Sequence, residues 1–526
     1  MQPSESPSSR FRVPWATLLI AMAIVYAFFA GLHTTDFDTP WHLAYGRYIL
    51  QHHNVPGTDQ FSYTARGSAF IYPPFAGVIL YLIYLAGGYG ALSWLTAIAC
   101  VAVVILTLRR DESITAALGI IAVPAIAFRV MARADLFNTL LFAALLRVIW
   151  SQYQGRRPKL WLIPLLMMLY TNLHLGFVAG LGILVAYAGM EILEFPFADR
   201  RAEAAARLRK AWPWLVAGVL VTLVNPFGPK VYRGVLQEPW GNSVWNYLIG
   251  EFSRTPMPHG YNVLDWRDPQ TAYWWLMAVA AVAVVVAIAR KRLGPAVLLA
   301  GSMWASLAHI RYQAVFAIVV IMAAGAVLSE ALAERLANGR ERKRLLSFAA
   351  AAAACVLAAF VIVRVSDLVT DRYYVHAAET SVFGTGTNGS DPQRAIDFLR
   401  RQQLPGNLFN EFNVGSFLIW RLNGQYPVYV DNRVLPFTAT FLLHQREMLQ
   451  KEPDSTAWQK EADQWGINTL FLSTNRFGGL QFPLAEFCAS KNWAPVYLDD
   501  AAAIFVRNQP GNAPWIQRRN AHLPGN

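Results

Sequence analysis

The sequence predicts a polytopic α-helical membrane protein of about eleven transmembrane helices, followed by a C-terminal α/β domain outside the bilayer. Three observations carry this reading. Hydrophobic residues make up 55% of the 526-residue chain and charged ones only 15%, against about 25% charged in a soluble domain. Apolar runs at 15–32, 92–108, 272–289 and 345–363 each approach the roughly 20 residues that cross a bilayer core. After Arg364 the long runs end, and short apolar segments bounded by turn residues replace them.

The first run, 15–32, follows Arg10 and Arg12 and has no clean small-x-small cleavage site. It reads as an uncleaved anchor with the N-terminus inside. Residues 33–70 then form a polar, aromatic-rich outer loop. The run at 71–108 is interrupted by Gly87-Gly88-Tyr89-Gly90. Two full crossings there would put Arg109 and Arg110 outside, against the positive-inside rule. The stretch 72–85, with Pro73-Pro74 and several tyrosines, is therefore expected to lie on the outer face as an interfacial helix, and only 91–108 to cross. Further crossings are expected near 114–131, 136–153, 160–173, 175–194, 212–227, 271–289, 294–308, 313–330 and 345–364. Eleven crossings leave the C-terminus outside. They also place the basic clusters inside: Arg109-Arg110, 156–159, 200–210, Arg290-Lys291-Arg292 and 335–344. Topology thus accounts for the formal net charge of +12, and no nucleic-acid partner is expected. Of the three cysteines, Cys100 and Cys355 sit in apolar runs and Cys488 stands alone in the polar region. Neither a disulfide nor a zinc site is expected.

Four regions follow: a transmembrane domain at 1–364 with its outer loop at 33–90, a linker at 365–389, an α/β domain at 390–508, and a loose tail at 509–526. In the α/β domain, helices are expected at 392–401, 415–421, 436–450 and 455–464. Strands are expected at 407–409, 428–430, 469–472, 495–498 and 502–506.

The strongest chemical signal is Thr35-Asp36-Phe37-Asp38-Thr39-Pro40-Trp41-His42, directly after the first crossing. In an extended segment, positions two apart point the same way, so Asp36 and Asp38 converge. Thr39-Pro40 is a helix start. One carboxylate has the chemistry of a general base for an incoming hydroxyl. Alternatively the pair, with His42, could hold a divalent cation. The plainer alternative has Asp36 solvated and Asp38 helping to start the helix. A second cluster, Arg129, Arg133 and Asp135, lies at the next outer turn. It reads either as an ion pair with a snorkelling arginine or as a phosphate-binding group, for which the guanidinium fork is suited. Asn172 and His174 mark a third outer turn, and His309, Arg311 and Tyr312 a fourth. Each outer turn brings an Asp, His or Arg to one side. P-loop, dinucleotide and nucleophile-elbow motifs are absent, so no nucleotide cofactor is expected.

This layout resembles the glycosyltransferase C superfamily, whose members include protein O-mannosyltransferases, oligosaccharyltransferase catalytic subunits and aminoarabinose transferases. It looks more like the bacterial protein-mannosyltransferase-like branch. The matching pieces are Asp38 to Arg47, Ala132 to Phe137, Asn172 to Phe177, Asn410 to Trp420 and Tyr429 to Arg433. The resemblance implies a sugar donor on a polyprenyl phosphate and transfer at the outer face of the bacterial cytoplasmic membrane. The acceptor would be a glycan, lipid or protein, with membrane lipids as surroundings. Asp36 or Asp38 would then activate the acceptor, Asp135 would be the second-loop acid, and Arg133 or Arg311 would hold the donor phosphate. His42, Arg129, Asn172, His174 and His309 would complete the substrate site. In one respect the chain departs from the pattern: Phe37 separates two acids that are adjacent in many members. The alternatives are a non-catalytic or transport protein that binds lipid-linked saccharide, and a structural partner in envelope-polysaccharide assembly.

Overall fold

The computed structural model describes residues 15–109, 113–237, 243–256, 264–336, 340–372, 382–387, 391–474 and 482–517. Arg10, Arg12, Arg110, much of the expected linker and residues 518–526 lie outside the described residues.

Each expected crossing overlaps a described helix, and the one near 212–227 runs past the helix end at Leu220 into a sharp bend. The run begins with α1 (Trp15–Gly31), the short α2 (Thr39–His52) and the long α3 (Phe75–Thr107). Next come α4 (Ser113–Ala127), α5 (Ala134–Tyr153), α6 (Leu162–Leu173), α7 (Phe177–Ile192) and α8 (Ala198–Leu220). Two short helices, α9 (Val231–Gln237) and α10 (Ser243–Leu248), lead to α11 (Pro269–Ala289) and α12 (Leu293–Ala308). Finally α13 (Gln313–Val319) passes through a π-helical turn at Val320–Ala324 into α14 (Gly325–Leu336), and α15 (Arg340–Val369) follows. Five described helices are long and apolar enough to cross a membrane, or six if the bent pair around residues 221–228 is one span; five more are apolar but shorter. This is a helical membrane protein.

Within α3, the backbone leaves helical geometry at Gly87 and Gly88, where Gly88 takes φ 61°, a conformation that favours glycine. The interruption expected from the glycine run is there. The tyrosine-rich half before it packs against the C-terminal unit rather than against other membrane helices alone. Tyr81 and Tyr84 meet Trp420 edge-on at 5.9 and 5.1 Å, and the indole N–H of Trp420 donates to Tyr89 at 2.8 Å.

The C-terminal unit is a four-stranded mixed sheet in the order β1-β2-β4-β3, from β1 (Asn407–Asn410), β2 (Ile467–Ser473), β3 (Trp493–Leu498) and β4 (Ala502–Arg507). β1 runs parallel to β2, while β4 is antiparallel to both β2 and β3. Around it lie α16 (Gln393–Gln402), α17 (Phe412–Leu422), α18 (Ala439–Leu449), α19 (Thr456–Trp465), the short α20 (Leu484–Cys488) and α21 (Ala513–Gln517). Strand alternation splits the core in two. Leu408, Phe471 and Ile504 face α16 and α17, and that cluster continues into Leu43 and Leu80 of the membrane region. Phe409, Leu470 and Phe505 face Trp458 of α19.

Three expectations are corrected. Residues 428–430 are no strand of this sheet. Val428 forms an isolated bridge with Ser62, its N–H donating to Phe61 O and its carbonyl accepting from Tyr63 N, both at 3.1 Å. A short apolar run reports burial, not partner, and these residues are fully buried. The linker begins later than 365, because α15 continues to Val369. Residues 509–517 are not loose: α21 packs on the unit, with the Trp515 indole donating to Gln402 O at 3.2 Å.

Candidate functional site

A cavity of about 570 Å³ opens where the membrane helices meet the C-terminal unit. It is lined on the membrane side by Asp36, Asp38, His42, Arg129, Arg133, Asp135, His174, Glu251 and Arg311.

The loop between α1 and α2 builds one wall. Asp36 Oδ1 accepts from the backbone N–H of Asp38 (3.1 Å) and of Thr39 (3.0 Å), and from the Thr39 hydroxyl (2.9 Å). It thereby satisfies the open N-terminus of α2, whose first turn also carries Pro40. Asp38 makes no such cap bond. The plainer reading of this pair is therefore inverted: Asp36 starts the helix, and Asp38 is left for other contacts. Thr39 Oγ1 also reaches Ala132 O at 3.0 Å, and the Ala134 N–H donates to His42 Nε2 at 3.2 Å. These bonds fix the α4–α5 loop against α2.

That loop presents the arginines. Arg133 Nη1 lies 2.7 Å from Asp38 Oδ2 and 3.6 Å from Asp36 Oδ2, so the two acids do converge, on a guanidinium. Arg133 Nη2 meets Glu251 Oε1 at 2.6 Å. Arg129 bridges Asp135 (2.6 Å) and the same Glu251 oxygen (2.8 Å). The Gly176 N–H donates to His174 Nδ1 at 2.8 Å, leaving Nε2 facing Asp135 at 3.9 Å. Arg311 lies over the Phe252 ring at 4.8 Å.

Three guanidiniums thus face four carboxylates. The surplus of negative charge is felt at Asp38. Burial raises its carboxyl, Arg133 opposes that, Asp36 and Glu251 reinforce it, and the group is pushed up to about 6. Burial also acts on Glu251, but Arg129 and Arg133 outweigh it and hold this acid well below the usual range. Burial would lower Arg133, but the surrounding carboxylates, led by Glu251, push it well above its usual value. Burial lowers His174 to about 4 and drives His42 well down, so both imidazoles are neutral at pH 7.

Two expected residues lie elsewhere. Asn172 donates to Met168 O and Val224 O, both at 2.8 Å, and does not line the cavity. His309 Nδ1 pairs with Phe252 O at 2.7 Å and supports the turn carrying Glu251 from outside. The arrangement does not suit a divalent cation, because the Arg133 guanidinium stands between the carboxylates that would bind it. Among the described residues no group of three His, Cys, Asp or Glu side chains is arranged to hold a metal. Glu251 and Glu411 line the cavity but were not among the candidates read from the sequence. Glu251 lies 118 positions beyond Arg133, with only its place in an outer aromatic loop as a signal. Glu411 stands inside one of the matching stretches, unmarked by any spacing.

No family model matches the chain, and no curated protein does. Solved structures do. An oligosaccharyltransferase from Archaeoglobus fulgidus, in its apo form, aligns with TM-score 0.60 at 12% identity, over 96% of this chain and 76% of its own. The same organism's oligosaccharyltransferase AglB, in complex with an inhibitory peptide and a dolichol-phosphate, aligns with TM-score 0.57 at 12% identity, over 95% and 75%. The arabinofuranosyltransferase AftD from Mycobacteria aligns with TM-score 0.52 at 15% identity, over 95% of this chain but only 40% of that one. The chain shares the fold of these glycosyltransferases.

Proposed function

We propose that this chain is a membrane glycosyltransferase of the bacterial cytoplasmic membrane, moving a sugar from a polyprenyl-phosphate donor to a hydroxyl of an extracytoplasmic acceptor. We place it in the protein-mannosyltransferase-like branch. One observation carries the reading: a carboxylate raised to about 6 sits in one cavity with the arginines that phosphate chemistry needs.

In this mechanism Asp38 takes the acceptor proton as the acceptor oxygen attacks the anomeric carbon. The bond from that carbon to the phosphate oxygen breaks on the opposite face, so the configuration inverts. The departing phosphate takes the electron pair, and Arg133 and Arg311 stabilise its charge. Asp135 acts through Arg129, whose guanidinium it holds, and is a positioning residue. Asp36 holds the start of α2 and so the approach of Asp38. The shared fold with oligosaccharyltransferases and AftD supports the reaction class. A transport role is disfavoured, because the helix interiors pack through apolar side chains.

The test is mass spectrometry of polyprenyl-phosphate sugars and envelope glycans in a deletion strain. A donor that accumulates while one glycan loses a sugar is expected. If both pools are unchanged, the protein is no such transferase.

A further inference from the structure

Opposite Asp38, the cavity wall comes from the C-terminal unit and has a different character. Glu411 is only 5% exposed, and its Oε2 has no hydrogen-bond partner among the described residues. Leaving such an atom unsatisfied is costly, and Glu411 lines the cavity, where a ligand's polar group can supply the missing partner. The position is enforced rather than incidental. Glu411 stands between β1 and α17, and the preceding Asn410 amide donates to both Glu411 O (2.8 Å) and Val430 O (2.7 Å). The same amide accepts from Tyr429 N at 2.9 Å.

The neighbours on this wall are neutral hydrogen-bonding groups. Asn413, Asn432 and Gln445 line it, with Asn432 accepting from Ser416 at 2.7 Å. Phe412 adds an apolar ring beside them. Of the cations on this side, Arg433 is paired with Asp59 and Asp431, and Arg446 lies over the Tyr247 ring at 4.6 Å.

We infer that Glu411, with these amides, binds a hydroxyl group of the acceptor, which makes the acceptor a saccharide. Burial pushes the Glu411 carboxyl up to about 8, opposed only by the Ser473 backbone. Near neutral pH it keeps its proton, and one carboxylic acid then both donates to and accepts from a sugar hydroxyl. The Phe412 ring offers an apolar face to the sugar's C–H face. A purely apolar acceptor would bury the amides unsatisfied. The inference rests on the glycosyltransferase reading for the word acceptor, but the binding site stands by itself.

The test uses the full chain in nanodiscs against an immobilised panel of neutral oligosaccharides, with Glu411→Gln and Glu411→Ala beside the wild type. Gln keeps a donor and an acceptor but cannot ionise. The wild type and Glu411→Gln should hold the same saccharide, and Glu411→Ala should bind it roughly tenfold more weakly. Three outcomes overturn the inference: no saccharide held by the wild type, Glu411→Ala binding unchanged, or Glu411→Gln losing as much as Glu411→Ala. Hydrolysis of a polyprenyl-phosphate sugar by the wild type, measured in parallel, separates the two readings. Donor cleavage without saccharide binding sinks this inference and leaves the transferase. Saccharide binding without donor turnover sinks the transferase and leaves a glycan-binding site.

Discussion

Asp36 and Asp38 are two residues apart in sequence yet differ in what their oxygens are free to do. Three donors hold Asp36 Oδ1, whereas Asp38 meets only the Arg133 guanidinium among the contacts described above. Asp38→Asn should therefore lower transfer by about 10²–10⁴-fold, the range for a lost general base, in a reconstituted assay with purified donor. Asn at position 36 can still accept the capping bonds, so Asp36→Asn should lose far less. Equal losses would mean the pair acts as one unit. Because Asp38 must be ionised to act and its carboxyl is pushed up to about 6, transfer should fall as pH drops through 6 and level off above it. Arg133, Asp36 and Glu251 are the charged groups that set this value. Glu411 gives a prediction of opposite sign, on stability. Its carboxyl lies near 8 in the folded chain and near 4.3 unfolded, so the folded state holds the extra proton between these values. Its contribution to stability is complete below the unfolded value and is lost as pH rises through 8. Glu411→Gln should flatten that part of the Tm-versus-pH curve; an unchanged slope would mean that the carboxyl is not buried as described.

Two elements set the cavity's shape. α2 crosses α3 so closely that a Cβ on Gly46 would lie 2.1 Å from Gly77 O, backbone that has no room to yield. The second is the segment after Val430, held to the loop between α2 and α3 by a buried ionic set. Arg433 lies 2.6 Å from Asp59 and 2.7 Å from Asp431, all three fully buried, with Phe61 and Phe70 against the guanidinium at 4.8 and 5.0 Å. Removing one member of a buried ion pair typically destabilises by about 3–5 kcal/mol. Arg433→Met keeps length and apolar contact but leaves two carboxylates buried together. It should lower stability by about that amount in urea or thermal unfolding of the purified chain; a shift below about 1 kcal/mol would mean water reaches the set. Most elements were legible in the sequence, since long apolar runs become helices and the short apolar segments at 469–472 and 502–506 became β2 and β4. Partners were not. Val428 reads as a strand but bridges to Ser62, and Glu251 reads as a loop acid until α10 and its turn bring it to Arg133. Periodicity encodes which face is buried, while these contacts join positions more than a hundred residues apart.

For the whole molecule, the cavity's function depends on which side of the bilayer it faces. Polyprenyl-phosphate chemistry at an extracytoplasmic acceptor requires the first outer loop and the C-terminal unit to share one compartment, and the cavity needs both to be built. The basic clusters at 200–210 and 290–292 should then lie in the other compartment. Exposed positions exist on each part. Gln60 lies on the first outer loop, Asp500 at a turn of the C-terminal unit, and Glu203 on α8 with its side chain 78% exposed. With Cys100, Cys355 and Cys488 replaced, single cysteines at 60, 500 and 203 should divide two to one. In intact cells, a membrane-impermeant maleimide should label positions 60 and 500, and position 203 only after the membrane is opened. Labelling of 60 and 500 from different sides would contradict the fold that builds the cavity, because residues 59–63 bond directly to Val428 and Arg433. Labelling of 60 and 500 together but from inside would keep the fold and reverse its orientation, and the outward-facing transferase would have to be abandoned.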